Sequence, residues 1–169
     1  MKKYCLANYI FLSLIVFLLP NNFNIALARE PQMAEDQTAI LFFANEKKYN
    51  NDFSVDIMVD PGGQAINAVG FTIYFKNKII SANDIDIKNS FCELFIQKEF
   101  VNKEVGRIDI ACGKPYPGID KTAPVATVNF SVLTSGWADL KFDENAMVLA
   151  NDGLGTNILS EINNSSYRF

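Results

Sequence analysis

The chain has 169 residues with 19 acidic and 15 basic side chains, a net charge of −4, and 49% of its residues are hydrophobic. A chain of this length forms one domain. Its acidity argues against nucleic acid or anionic lipid as a partner, since both attract basic surfaces. It contains no histidine, which excludes histidine-dependent nucleophile systems and the usual histidine-bearing zinc sites.

The first 28 residues have the pattern of an export signal. Two lysines precede an apolar run from Tyr9 to Leu19, and Ala26-Leu27-Ala28 supplies an Ala-x-Ala cleavage site. The run is shorter than the roughly 20 residues that span a bilayer as a helix, so a cleaved signal peptide at 1–28 is favoured over an uncleaved membrane anchor. The polar, patternless segment 29–37 is predicted to be a linker, with the ordered domain at 38–160 and no membrane span after cleavage.

The two strongest strand predictions flank a glycine-rich turn. Apolar residues alternate with polar ones from Phe53 to Val59, and the apolar set resumes along Val69–Phe75. Between them, Pro61 removes a ladder donor, and Gly62 and Gly63 accept positive φ. Each strand therefore has one face for a core.

The remaining apolar segments are also short and separated by turn residues. They are 39–43, 79–87, 91–100, 107–111, 125–133, 140–142 and 147–150. Spacing of this kind indicates an antiparallel, all-β sandwich. The polar residues 161–169 are predicted to form a flexible tail.

Two cysteines, Cys92 and Cys112, remain after signal cleavage, in an exported setting that permits disulfides. A hairpin centred on Asn102 would place Cys92 opposite Cys112. It would also place Leu94 opposite Ile110 and Ile96 opposite Ile108, on one apolar side. A disulfide and two buried thiols on neighbouring strands both remain open. A helical spacing of Phe91, Phe95 and Lys98 is the alternative to a strand in this segment.

The chain resembles a cohesin domain over most of its length after residue 37. The resemblance rests on four stretches: AILFF with the Phe53–Val59 strand, AINAVGFTIYF, VATVNFSVLTSGWADLKF and MVLANDGLGTNI. It implies a nine-stranded jelly-roll sandwich that receives a calcium-loaded dockerin helix pair on one sheet. It also implies a non-catalytic recognition module of extracellular, polysaccharide-degrading assemblies.

The resemblance directs attention to the strand Asn67–Tyr74. Ala68 and Gly70 stand where the best-known dockerin-binding members carry polar Asn and Asp side chains. The candidate partner-binding residues are therefore Ala68 and Gly70 as a flat patch of small residues, with Thr72 and Tyr74 facing outward. An ordinary surface strand without a partner is the alternative interpretation.

A second hypothesis is a carbohydrate-binding module, in which Trp137, Tyr116 and Tyr49 would stack on sugar rings. A third is a structural or adhesive protein of the cell envelope. Catalysis is not expected, because Asp84 and Asp86 point the same way from one strand and do not straddle a substrate. The Asn151-Asp152-Gly153 segment lacks the spacing of a calcium loop and is predicted to be a tight turn.

The sequence thus predicts a secreted or cell-surface module without catalytic residues, metal or cofactor. Its expected partner is a dockerin-like protein or a polysaccharide, and it is expected to be a monomer. After signal cleavage it would carry a net charge of about −6, with 13 basic and 19 acidic residues.

Overall fold

The computed structural model describes residues 38–169, apart from the side chains of residues 97–102, and every regular element in that range is a β-strand. The predicted signal peptide and linker lie outside the described residues. The eleven strands between residues 38 and 169 are Ala39–Tyr49 (β1), Asp52–Asp60 (β2), Ile66–Phe75 (β3), Ile80–Asp86 (β4), Leu94–Asn102 (β5), Arg107–Gly113 (β6), Ala123–Val132 (β7), Trp137–Phe142 (β8), Met147–Ala150 (β9), Leu159–Asn163 (β10) and Ser165–Arg168 (β11).

The strands form two sheets that pack as a sandwich. The five-stranded sheet has the order β10-β1-β2-β7-β4, and the six-stranded sheet has the order β11-β8-β3-β6-β5, with β9 pairing with β3. The β1–β10 pair is parallel, whereas the other strand pairs of the described range are antiparallel. This confirms the predicted all-β sandwich, with eleven strands over residues 38–169 where nine were expected.

The alternation predicted from the sequence determines which side chains enter the core. Phe53, Val55, Ile57 and Val59 of β2 are buried, as are Val69, Phe71, Ile73 and Phe75 of β3. The turn between the two strands also forms as predicted. Gly62 and Gly63 have φ of 65° and 88°, and Asp60 Oδ1 accepts the Gly62 N–H at 2.9 Å.

Aromatic rings join the two sheets across the core. Phe130 of β7 stacks on Phe53 at 4.9 Å between ring centroids and meets the edge of Phe75, in the opposite sheet, at 5.5 Å. Phe43 of β1 stacks on Phe142 of β8 at 4.5 Å. Offset and edge-to-face pairs of this kind contribute about 0.5–1.5 kcal/mol each beyond their burial.

The predicted hairpin between the cysteines forms, but in another register. The turn comprises residues 103–106, and Cα pairing places Phe95 opposite Cys112 and Val101 opposite Ile108. The pairings expected for Leu94 and Ile96 are therefore wrong, and their side chains are 58% and 80% exposed. Two bulges in β5 and the four-residue turn shift the strand.

Cys92 and Cys112 are joined by a disulfide, with their Cα atoms 5.7 Å apart. Cys92 lies just before β5 rather than within it, and the neighbouring Glu93 N–H donates to Gly113 O at 2.9 Å. Both cysteines are buried. The bridge therefore links the entry to the edge strand β5 with the inner strand β6.

The polar C-terminal residues, expected as a flexible tail from residue 161, instead complete both sheets. β10 pairs with β1, and β11 pairs with β8. Tyr167 and Phe169 pack against Phe53 at 5.6 and 4.7 Å between ring centroids. These two aromatic side chains give the otherwise polar segment an apolar surface to bury, which supplies the free energy that orders it.

Removing the disulfide is expected to lower stability without changing the fold. The Cys92→Ala/Cys112→Ala variant opens the loop that the disulfide closes between residues 20 positions apart. Because the loop constrains the unfolded chain, its loss is expected to lower the free energy of unfolding by about 3 kcal/mol. Urea denaturation followed by circular dichroism measures the change. Dithiothreitol should destabilise the wild-type chain by a similar amount and leave the variant unaffected; equal midpoints for wild type and variant would contradict this role.

Two glycines offer a matched test of the turn after β5. Gly106 has φ of 68°, and a Cβ there would lie 2.1 Å from Phe75 O, whereas Gly153 has φ of 75° with no atom within 4 Å of such a Cβ. Gly153→Ala is expected to cost about 1 kcal/mol for the left-handed backbone alone. Gly106→Ala should cost more than about 2 kcal/mol, since the chain must also shift. Equal losses in denaturation would refute the close approach.

Candidate functional site

The outer face of the six-stranded sheet carries the candidate residues of β3. Alternate residues of β3 are buried, so Ala68, Gly70, Thr72 and Tyr74 face outward together, and Tyr74 is 43% exposed. On β6, the residue opposite Gly70 is Ala111, the one opposite Thr72 is Asp109, and the one opposite Tyr74 is Arg107. On the other side of β3, Met147 of β9 lies opposite Gly70.

A buried carboxylate lies at the centre of this face. Asp109 is 7% exposed, and it accepts hydrogen bonds from Thr72 Oγ1 at 2.6 Å, Arg107 Nε at 2.9 Å and Arg107 Nη2 at 2.8 Å. All three bonds reach the same oxygen, Oδ1. Its hydrogen bond and charge raise the pKa of Arg107 above its ordinary value. Pairing with a cation and a hydroxyl allows the charge to remain buried.

A second carboxylate closes one side of the site. The Asp143 N–H donates to Thr72 O at 2.8 Å, which fixes the start of the loop after β8. The backbone N–H and side-chain amide of Asn145 both donate to Asp143 Oδ1 at 2.7 Å. These bonds, together with the charge of Arg107 and a hydrogen bond from Tyr74, lower the pKa of Asp143. Asp143 is therefore ionised at neutral pH.

These side chains surround a shallow depression of about 280 Å³, here called the β3 depression. Its lining around the Arg107–Asp109 pair includes Gly70, Thr72, Ala111, Asp143, Asn145 and Met147. The small residues Gly70 and Ala111 lie opposite each other on β3 and β6. The Met147 thioether and the Asp143 carboxylate lie on one side of β3, and Arg107 and Asp109 lie on the other. Such a surface is suited to binding another molecule by shape and hydrogen bonds.

The sequence correctly predicted that alternate residues of β3 face outward, and their role in binding stays a prediction. It did not select Arg107, Asp109, Asp143 or Asn145. Arg107 and Asp109 are two apart on one strand, which places them on the same face. That signal alone does not identify their neighbours, because the pairing of β3 with β6 joins segments more than thirty positions apart.

The aromatic residues of the carbohydrate hypothesis are exposed but separated. Trp137, Tyr116 and Tyr49 are 57%, 88% and 77% exposed. Tyr116 lies near the start of β3, because Ile119, three residues later, forms a bridge with Ile66. Trp137 lies near the other end of β3, because it comes three residues before Leu140, which pairs with Phe75. These two ends of β3 are roughly 30 Å apart.

Tyr49 belongs to the five-stranded sheet, unlike Trp137. The ring of Trp137 is also partly covered, with the Arg168 guanidinium 5.9 Å from its centroid. The three aromatic residues therefore do not form one flat platform of the kind that stacks on a polysaccharide.

Three other features of residues 38–169 were candidates for a site, and none of them forms one. In the described part of the chain, no group of three or more cysteine and acidic side chains is arranged to hold a metal ion. The Asp152 turn is satisfied internally: Oδ1 accepts the N–H groups of Leu154 and Gly155 at 2.8 and 3.2 Å, and Oδ2 accepts the Thr156 hydroxyl. Within residues 38–169, no helix has the length and apolar character needed to cross a membrane.

Comparison with solved structures shows that the chain has the cohesin fold, which confirms the resemblance. The third cohesin of ScaC from Acetivibrio cellulolyticus, solved with the ScaB dockerin, has a TM-score of 0.63 and 19% identity over 77% of this chain and 97% of its own. CaCohA2 from Clostridium acetobutylicum has a TM-score of 0.62 and 15% identity, with coverage of 79% and 92%.

A non-cellulosomal cohesin from the hyperthermophilic archaeon Archaeoglobus fulgidus has a TM-score of 0.61 and 14% identity, covering 78% of this chain and 90% of its own. At these identities the likeness establishes the fold alone. No protein-family model matches the chain, and no curated protein matches it.

The support of Asp109 by Thr72 can be tested against an equivalent bond on the other sheet. Thr72→Val removes a donor to a buried carboxylate and is expected to cost about 1–3 kcal/mol of unfolding free energy. Thr127→Val removes the 2.5 Å bond from Thr127 Oγ1 to Asp56, where both residues are partly exposed and water can replace the donor. Urea denaturation of both variants measures the difference; an equal or larger loss for Thr127→Val would contradict the importance of burial at Asp109.

Proposed function

We propose that residues 38–169 form a non-catalytic recognition module of cohesin type, which binds a dockerin-like protein through the outer face of the six-stranded sheet. The observation that carries the proposal is the structural likeness to cohesins over more than three-quarters of the chain, including one solved with a dockerin. Further matching cohesins were also solved in dockerin complexes, among them Coh-OlpA with Doc918 from Clostridium thermocellum.

The outer face of the six-stranded sheet has properties of a protein-binding surface. Ala68, Gly70 and Ala111 form a small-residue area in which a partner backbone can approach the sheet closely. The exposed side chains of Tyr74 and Met147 stand at its margins. Aromatic residues and methionine are enriched in interfaces.

On the outer face of the five-stranded sheet, several carboxylates accept hydrogen bonds from neighbouring hydroxyl and amide groups. Ser131 donates to Asp52 at 2.6 Å, Thr127 donates to Asp56 at 2.5 Å, and Asn129 donates to Asp84 at 3.0 Å. The six-stranded sheet also carries such a bonded carboxylate, Asp109, but it adds the small residues and the depression described above. This favours the six-stranded sheet as the binding face.

An extracellular or cell-surface location belongs to the same proposal. The predicted signal peptide at 1–28 would export the chain. The Cys92–Cys112 disulfide is of a kind that persists in oxidising compartments and is rare in the cytosol. Within a polysaccharide-degrading assembly, the module would hold its partner by shape and hydrogen bonds.

The test begins with the source organism's own proteins. Proteins with paired Asp-x-Asn-x-Asp-Gly loops would be expressed as isolated dockerin-like modules, and their binding to this chain measured by calorimetry with calcium and with a chelator. Calcium-dependent binding by at least one of them is expected. Absence of binding by every such module would overturn the proposed function.

Gly70→Arg tests the proposed face directly. A Cβ at Gly70 would lie 3.5 Å from Met147 Cγ, an ordinary contact, so the fold should tolerate the substitution while a long side chain covers the small-residue area. We expect at least a roughly tenfold loss of affinity for a dockerin-like partner. Ser54→Arg, on the outer face of the five-stranded sheet, should retain wild-type affinity; the reverse pattern would place binding on that sheet.

A further inference from the structure

The β3 depression carries more negative than positive charge. Its lining contains two carboxylates, Asp109 and Asp143, and one guanidinium, that of Arg107. Arg107 directs both Nε and Nη2 to Asp109, so its charge is already paired within the chain. The three groups together leave one negative charge, which attracts a cation and repels an anion.

The bonding within the site leaves acceptor atoms for an incoming donor. The bonds from Thr72 and Arg107 to Asp109 all reach Oδ1, and those from Asn145 to Asp143 also reach Oδ1. Among the described side chains, the bonds to Asp109 leave its Oδ2 to a further donor, whereas Asp143 also receives a hydrogen bond from Tyr74. Charge-assisted bonds to such oxygens are about twice as strong as neutral ones.

The shape of the depression suits a long side chain with a polar end. Gly70 and Ala111 leave space on the floor, and Met147 forms an apolar wall beside Gly70. Lysine and arginine side chains pack their methylene groups along apolar surfaces and keep their charged ends in polar surroundings. A short side chain would lack either the apolar contact with Met147 or the polar contact with the carboxylates, and an anionic side chain would be repelled by the carboxylates.

We propose that the β3 depression receives a lysine or arginine side chain of the protein partner, with its methylene groups against Met147 and its cationic end at Asp109 and Asp143. The inference takes the identity of the partner from the proposed function, but the chemistry of the depression can be tested without a partner protein. Asp109 and Asp143 thereby become specificity-determining residues for a basic partner surface.

The test titrates the intact chain with three small probes of equal length: n-butylammonium, n-butanol and butyrate. Two-dimensional amide NMR identifies the residues that each probe contacts. We expect n-butylammonium to shift the amide signals of Gly70, Thr72, Ala111 and Asn145 in a saturable way. Butanol should bind about tenfold more weakly, because it lacks the charge-assisted bonds, and butyrate should not shift these signals.

Variants assign the effect to the two carboxylates. Asp143→Asn is expected to weaken n-butylammonium binding about tenfold, and Asp109→Asn to do the same if the variant folds. Asp84→Asn, on the outer face of the five-stranded sheet, serves as a control and should leave binding unchanged. Since Asp143 is only partly buried in the loop after β8, its variant keeps the test valid even if Asp109→Asn unfolds.

Three outcomes would overturn the inference: stronger shifts with butyrate at these residues, equal shifts with butanol, or n-butylammonium shifts spread over both sheets. If n-butylammonium binds in the depression but no dockerin-like module binds the chain, the depression still selects a basic side chain, and the proposed dockerin-like partner is overturned. Calcium-dependent binding of a partner, lost in Gly70→Arg but unaffected by Asp143→Asn, would support the function and remove the inference.

Discussion

Aromatic contacts between the two sheets hold the core of the sandwich together. Phe130 and Phe75 come from different sheets, as do Phe43 and Phe142, and each pair meets in the interior. These contacts fix how far apart the sheets lie and how they are aligned. Since the inner faces are committed to this packing, the outward side chains on both sheets are free to differ in chemistry.

The outer faces of the two sheets differ in the arrangement of their polar side chains. On the five-stranded sheet, hydroxyl and amide groups bond to carboxylates in a regular cross-strand pattern, as at Asp56 and Thr127. On the six-stranded sheet, one carboxylate is buried with its charge paired, and small residues beside it leave a depression. The depression and the small residues around it distinguish the outer face of the six-stranded sheet from that of the five-stranded sheet.

Much of the fold follows from local pattern, because a strand with one buried face must alternate. The segments Phe53–Val59 and Val69–Phe75 show that pattern clearly, and the proline and glycines between them require a turn. The register of the hairpin between β5 and β6 is harder to predict, because the two bulges in β5 interrupt the alternation of buried and exposed residues. The strands β10 and β11 are short and polar, and they gain their order from Tyr167 and Phe169 packing at a distance in sequence.

The candidate site is less predictable than the fold for a related reason. The outward position of Thr72 follows from alternation within one strand, but its bond to Asp109 depends on which strand lies beside β3. Asp143 joins the site through a backbone bond from its loop to Thr72. Pairings between distant segments have no signature in a single sequence, so the buried charge was accessible only from the structure.

The positions of the two ends of the described chain determine how this module can be joined to others. Thr38 bonds to Pro61 beyond one end of β2, and Phe169 contacts Phe53 near the other end, roughly 26 Å away along the strand. Polypeptide attached at Phe169 therefore leaves the sandwich from the pole opposite to the one where residue 38 enters. The two ends of the described chain therefore lie at the rims of the sandwich, where the strands begin and end, and not on either broad surface.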